Sequence, residues 1–217
     1  MIQGLMFLYS LFLPKQLEIT VTPQWYGKPL ILNQAYVLEH DTLHIQQWKC
    51  YVRAKALYFN QQCVYTFPAK PHLLDAEYQQ SMTWAVSIPK DVEYNQLEFE
   101  VGVDSMLQMQ GVQGDDLDPE HDMYWSWQSG YIHTKLEAES QQPKRQYTLH
   151  IGGYRAPFNT IQTVSVPLQG NALHLICPIQ TWMLVARNTP FSKIMKPGPD
   201  ALELAKQWAQ LWLVETP

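Results

Sequence analysis

The chain is poor in cysteine, in charge and in long apolar runs, and each shortage removes a class of function. Cys50, Cys63 and Cys177 are the only cysteines, so at most one disulfide can form. No pair has CxxC or CxxxC spacing, which excludes a zinc ribbon and attached c-type haem. A hairpin loop over residues 59–62 would set Cys63 opposite Tyr58 and away from Cys50, so buried free thiols are the simplest reading. Charged residues make up 16% of the 217 residues, the formal charge is -5, and Lys and Arg form no run. Nucleic acid is therefore not an expected partner, because neutralising phosphates takes clustered cations. No GxSxG, P-loop, HExxH or dinucleotide fingerprint occurs, and Gly152-Gly153 alone is a turn. Hydrolase, kinase and dehydrogenase chemistries lose their usual support, and the chain reads as a non-enzyme.

The apolar run at residues 2–13 has twelve members and no charge, too short to span a bilayer but of the length of a signal-peptide core. It breaks at Pro14 and Lys15, and the usual positive leader before it is missing. A signal-peptide remnant over residues 1–15, and hence an exported protein with no stable membrane span, is the expectation. A buried first strand is the alternative.

What is present is apolar and aromatic. With 46% hydrophobic residues, eight Trp and twelve Tyr, the chain has the composition of a folded domain. Strand-like runs fall at 17–22, 42–57, 63–67, 82–88, 97–103, 131–137, 146–152, 163–166 and 173–176, separated by Pro, Gly, Asn or Asp. Short strands without interleaved helices predict an all-β, antiparallel β-sandwich, one domain over residues 16–217. In the longest run Leu43 and Ile45 are apolar at odd positions, whereas Trp48, Cys50, Val52, Ala54 and Ala56 are apolar at even ones. A β-bulge near Gln46 and Gln47 reconciles them. Only the end reads helical: after Pro197-Gly198-Pro199-Asp200, Ala201, Leu204, Ala205, Trp208 and Trp212 form one stripe, predicting a short C-terminal helix on an end or edge of the sandwich.

Between two of these strands lies an acidic loop. Asp115, Asp116, Asp118 and Asp122 crowd an eight-residue span broken by Pro119 and preceded by Gly114. Asx turns in a solvated loop explain this pattern, and a calcium site at Asp115, Asp116 and Asp118 is the alternative. Trp125, Trp127 and Tyr131 follow in one alternation, as core packing or as a ring platform.

The words GVDS at 102–105, GDDLDP at 114–119, MYWSWQSGY at 123–131, KLE at 135–137 and HIGGY at 150–154 together resemble the MbnP-like family of bacterial periplasmic copper-binding proteins. HLLDAEYQQSM at 72–82 and KPGPDALELA at 196–205 extend the likeness in order along the chain. The resemblance implies a periplasmic or cell-surface protein that binds copper, as Cu+, at His72 and His150. A dihaem peroxidase-like protein is the implied partner, one that oxidises a tryptophan to kynurenine, a third ligand in several relatives. Here the residue two before His72 is Lys70, so another aromatic must serve, and Trp48 on the adjoining strand, expected opposite Leu73, is the candidate. Two imidazoles suit copper, and histidines on neighbouring strand ends could meet across one rim. Asp75 and Asp104 are candidates for carboxylates that orient a ligand histidine. His40, His44, His121, His133 and His174 share no spacing and read as surface residues. The competing reading is a metal-free β-sandwich module that binds a glycan or a surface partner through exposed aromatics.

Overall fold

The computed structural model describes residues 14–126 and 130–215. The leader expected at residues 1–15 lies outside them except for Pro14 and Lys15, and Lys15 already opens the first strand. Two sheets pack face to face. The smaller runs β15 (Leu213–Val214), β13 (Ala172–Pro178), β1 (Lys15–Trp25), β2 (Lys28–Pro29), with β7 (Thr83–Ile88) also on β1. The larger runs β12 (Gln162–Pro167), β8 (Gln96–Val101), β4 (Asp41–Phe59), β10 (Gly130–Gln141), β11 (Lys144–Gly152), β14 (Lys193–Ile194). Strands β3 (Ala35–Leu38), β5 (Gln62–Thr66) and β6 (His72–Asp75) add to β4, and β9 (Tyr124–Trp125) adds to β10. Pairing is antiparallel except between β1 and β13 and between β11 and β14.

Period-two alternation puts Leu17, Ile19 and Val21 of one sheet against Leu43, Ile45, Leu136, Leu149 and Ile151 of the other in a single buried core. The bulge expected in the long strand is there: opposite β10 the register passes from Gln47 to Ile45, leaving Gln46 unpaired, so Leu43 and Ile45 and then Trp48, Cys50 and Val52 all reach the core. A second, smaller cluster lies on the outer face of the large sheet, where Tyr51 and Leu73 meet Val103, Leu117, Met123, Trp125 and Tyr131 of the segment between β8 and β10.

Among the described residues three α-helices interrupt the strands: α1 (Ser105–Met109), α2 (Ile179–Arg187) and α3 (Pro199–Ala209). The terminal helix has the stripe expected of it, with Ala201, Leu204, Ala205 and Trp208 buried. The expectation that only the chain end is helical is corrected by α2, whose buried Ile179, Trp182, Met183 and Ala186 show the i, i+3, i+4, i+7 spacing. Ile179 continues the apolar run of β13 past Pro178, and Gln180 and Thr181 come only inside the helix, which hid the change of period. Trp182 is fully buried and stacks on Trp208 with ring centres 4.6 Å apart and planes 7° apart. Cys50 and Cys177 are buried free thiols, but Cys63 is exposed on an edge strand. Its expected place opposite Tyr58 is the observed one.

Because both helices close on the Trp182 indole, Trp182→Ala should cost about 3–5 kcal/mol in urea unfolding, the cost of deleting a large buried ring. A loss under about 1 kcal/mol would mean that the helical layer packs independently of the sandwich.

Candidate metal centre

His72 opens β6 at the rim between the sheets. Strand β6 pairs with β4 so that His72 lies opposite Val52, on the inner face, while Leu73 turns outward. Across the gap, Ile19 pairs with Trp84 on β7, which brings that indole over the imidazole: ring centres are 4.8 Å apart and the planes 24° apart. A groove of about 350 Å³ opens beside them, walled by Ala54, Tyr65, Phe67, Trp84 and Val86, with Lys70 at its edge. The ring is oriented on both sides. Nε2 lies 2.7 Å from the carbonyl oxygen of Ser81, and Nδ1 lies 3.0 Å from Asp116 Oδ2. A carbonyl can only accept, so Nε2–H donates to Ser81 and Nδ1 is the atom that faces the carboxylate. Burial pushes the Asp116 carboxyl upward, but the hydrogen bond and charge of His72, with the Leu73 N–H, outweigh it and hold the group below the ordinary carboxylate range.

His150 stands elsewhere. It pairs with Lys135 on β10, which pairs with Lys49 on β4, which pairs with Asp75 on β6. This row lies on the outer face, since Leu149 and Ile151 beside His150 point into the core. His150 Nε2 is 2.7 Å from Glu137 Oε1. Burial lowers its affinity for a proton and the Lys135 ammonium adds to that, against the hydrogen bond to Glu137. Three strand spacings and three residues of rise separate His72 from His150, about 17 Å, and the two rings are on opposite faces of the sheet. The pair does not fit one metal ion.

The other expected site residues are committed individually. Asp75 is buried in an ion pair with Lys49 at 2.9 Å and reaches His72 only through Ser81, whose hydroxyl accepts from the Asp75 N–H. Asp104 caps α1 and lies 3.4 Å from Arg53. Trp48 faces Leu136 and packs on Trp182 in the core, and its carbonyl accepts from the Ala76 N–H, so it does not stand opposite Leu73, a place Tyr51 holds. Of the acidic loop, Asp116 turns to His72, Asp118 accepts from the Glu120 N–H, and Asp115 has a left-handed backbone with φ of 54°. The three carboxylates do not converge, and the described residues hold no cluster of three or more His, Cys, Asp or Glu arranged for an ion. Trp125 is buried, as core packing requires, and Trp127 lies outside the described residues. Exposed large aromatics Tyr26, Phe59 and Tyr78 sit at three separate turns and form no row among the described residues.

Trp84 and Asp116 are the members that sequence reasoning did not join to His72. Each belongs to a different element, and only the sheet packing brings them together. His133, expected at the surface, is instead fully buried because the bulge between Ile132 and Thr134 turns it inward, where Gln108 and Thr160 satisfy its two nitrogens at 2.6 and 3.0 Å. Gly102 is required beneath it, since a Cβ there would lie 2.8 Å from His133 Nδ1.

The fold and the site define a β-sandwich with a histidine–carboxylate pair at one rim. The MbnP family model matches residues 14–196, and the chain belongs to the MbnP family. Among solved structures, MbnP from Methylosinus trichosporium superposes with a TM-score of 0.58 at 13% identity, over 85% of this chain and 81% of that one, a likeness of fold. No curated protein sequence matches.

His133 makes stability depend on pH. Burial pushes its imidazole down to about 3. The unfolded chain takes up the proton below about pH 6.5, so the contribution is complete above that pH and is lost as pH falls. Between pH 7 and pH 5 the loss from this group is about 2 kcal/mol. Urea unfolding of wild type and His133→Gln at both pH values should show a smaller decline in the variant. Equal declines would assign the acid sensitivity to other groups.

Proposed function

We propose that the chain is an exported, non-enzymatic copper-binding protein in which His72, with Asp116, anchors the ion. Family membership supports the class. One observation carries the site: Nδ1 of His72 and Oδ2 of Asp116 are 3.0 Å apart with Nε2 already donating elsewhere, so a proton or a metal ion must lie between two acceptor atoms. Imidazole nitrogen and carboxylate oxygen are both competent donors to copper. The Ser81 carbonyl fixes the ring's tautomer, as partners outside the metal's own ligands do. His150 serves a separate purpose on the outer face, in the ion-pair row that holds β10 to β11.

If an oxidised tryptophan completes the site, Trp84 is the indole in place for it. A dihaem peroxidase-like partner would then act on Trp84 at the groove, not on the buried Trp48. Exported material analysed by intact mass and peptide mapping would carry oxygen at Trp84, and modification at Trp48 instead would refute that assignment.

Cu+ titration against a competing chelator tests the anchor. His72→Ala should weaken binding at least about 100-fold, the scale on which a ligand or its support is lost. Asp116→Asn should weaken it less, and His150→Ala should leave it unchanged. Full binding by His72→Ala would sink the assignment, and an equal loss in His150→Ala would restore a site built from both histidines.

A further inference from the structure

Among the described methionines, three lie in the core, Met195 is half-buried, and two stand in solvent. Met82, Met123 and Met183 are 2%, 0% and 0% exposed, the usual use of a soft apolar side chain. Met106 and Met109 are 67% and 66% exposed. They are three residues apart on α1, hence on one face, with Cβ atoms about 5–6 Å apart.

The opposite face of α1 is locked. Gln108 is 3% exposed; its Nε2 donates to the Val103 carbonyl at 3.1 Å and to His133 Nε2 at 2.6 Å, and its Oε1 accepts from the Tyr131 N–H at 2.9 Å. Asp104 accepts from the Met106 N–H at 2.8 Å. The turn is therefore preorganised by buried bonds, and the two thioethers are displayed without contributing to any core. An exposed thioether is a soft donor that takes Cu+ or Ag+ in preference to hard ions. Asp115 and Asp116 lie close to α1, since they border the same cleft as its Leu107. Leu107, between the methionines, lines a cleft of about 140 Å³ with Lys70, Pro71 and Asp116, the segments that carry the His72 pair.

We propose that Met106 and Met109 form a second metal site, a bis-thioether docking point for a soft monovalent cation, on the solvent side of α1. The inference rests on the copper reading for the identity of the physiological ion. The exposure and the shared helix face of the two methionines stand without it. No redox step is involved, because each sulfur donates a lone pair and the ion keeps its charge.

The test is Ag+ titrated into the full chain labelled at the methionine methyl groups with ¹³C. The Met106 and Met109 resonances, assigned from the single Leu variants, should shift together at one equivalent. Met106→Leu, Met109→Leu and the double variant are near-isosteric at exposed positions, so they retain the fold. Each single variant should lose at least about tenfold in affinity for this event, and the double variant should abolish it. His72→Ala should leave it intact, so failure of the copper reading shows as unchanged Cu+ binding in that variant while the methionine shifts persist. Unshifted methyl resonances, or two resonances that titrate independently with no loss in either single variant, would overturn the proposal.

Discussion

Strand β4 is the constraint from which the rest of the molecule follows. Its 19 residues pair with β3, β6 and β5 along one edge and with β10 and β8 along the other. A strand paired on both edges has its register set twice. Because side chains alternate, one residue of slippage would turn every core residue outward. The bulge at Gln46 is the device that avoids this: it lets Leu43 and Ile45 face the core before it, and Trp48, Cys50 and Val52 after it. The same change of parity sends Lys49, Tyr51 and Arg53 to the outer face. The contacts that tie the segment between β8 and β10 to the sheet start largely from those three positions.

Those outward residues explain how a long segment lies on a sheet that would otherwise face water. Tyr51 donates its hydroxyl to the Asp116 carbonyl at 2.8 Å, Lys49 donates to the His121 carbonyl at 3.1 Å, and the buried Lys135 pairs with Asp122. Arg53 holds Glu100 at 2.7 Å and reaches Asp104 at the start of α1. Buried ion pairs of this kind contribute little net stability once desolvation is counted, yet removing one partner leaves a stranded charge. Their consequence here is placement. With Tyr51 pinning the acidic loop at Asp116 and Lys135 pinning it at Asp122, one carboxylate is brought to His72 and becomes half of a histidine–carboxylate pair.

Much of the fold was legible because it depends on local periodicity. The nine strand runs, the bulge, the Tyr58–Cys63 hairpin register and the amphipathic C-terminal stripe all follow from alternation and turn residues close in sequence. Helix α2 was not, since Ile179 continues the apolar run of β13 past Pro178 and Gln180 and Thr181 come only inside the helix. The site was legible in part. His72 could be singled out through resemblance, but Trp84 and Asp116 are 12 and 44 positions further along the chain and meet it only through sheet packing and a loop tether. His133 was misread for a related reason: a single bulged residue in β10, opposite the end of β11, turns it inward, and that bulge leaves no mark in composition.

Membership of a family carries the sandwich further than it carries the metal. At 13% identity the sheets superpose while most side chains differ, so each ligand must be earned on its own geometry. Here the words that carry the likeness serve the fold first. Gly152 of the HIGGY word must lack a side chain because a Cβ would stand 2.7 Å from the Tyr131 carbonyl, and Trp125 and Tyr131 fill the outer cluster. His150 in that same word is bound to Glu137 in a buried row where Lys135 pairs with Asp122 and Lys49 with Asp75. His72 instead has a carboxylate, a carbonyl and an indole face around one imidazole, at a rim open to a groove. Surroundings therefore separate two histidines that resemblance alone treats alike: one ring is held in a buried row of ion pairs, and the other turns a nitrogen to a carboxylate beside an open groove.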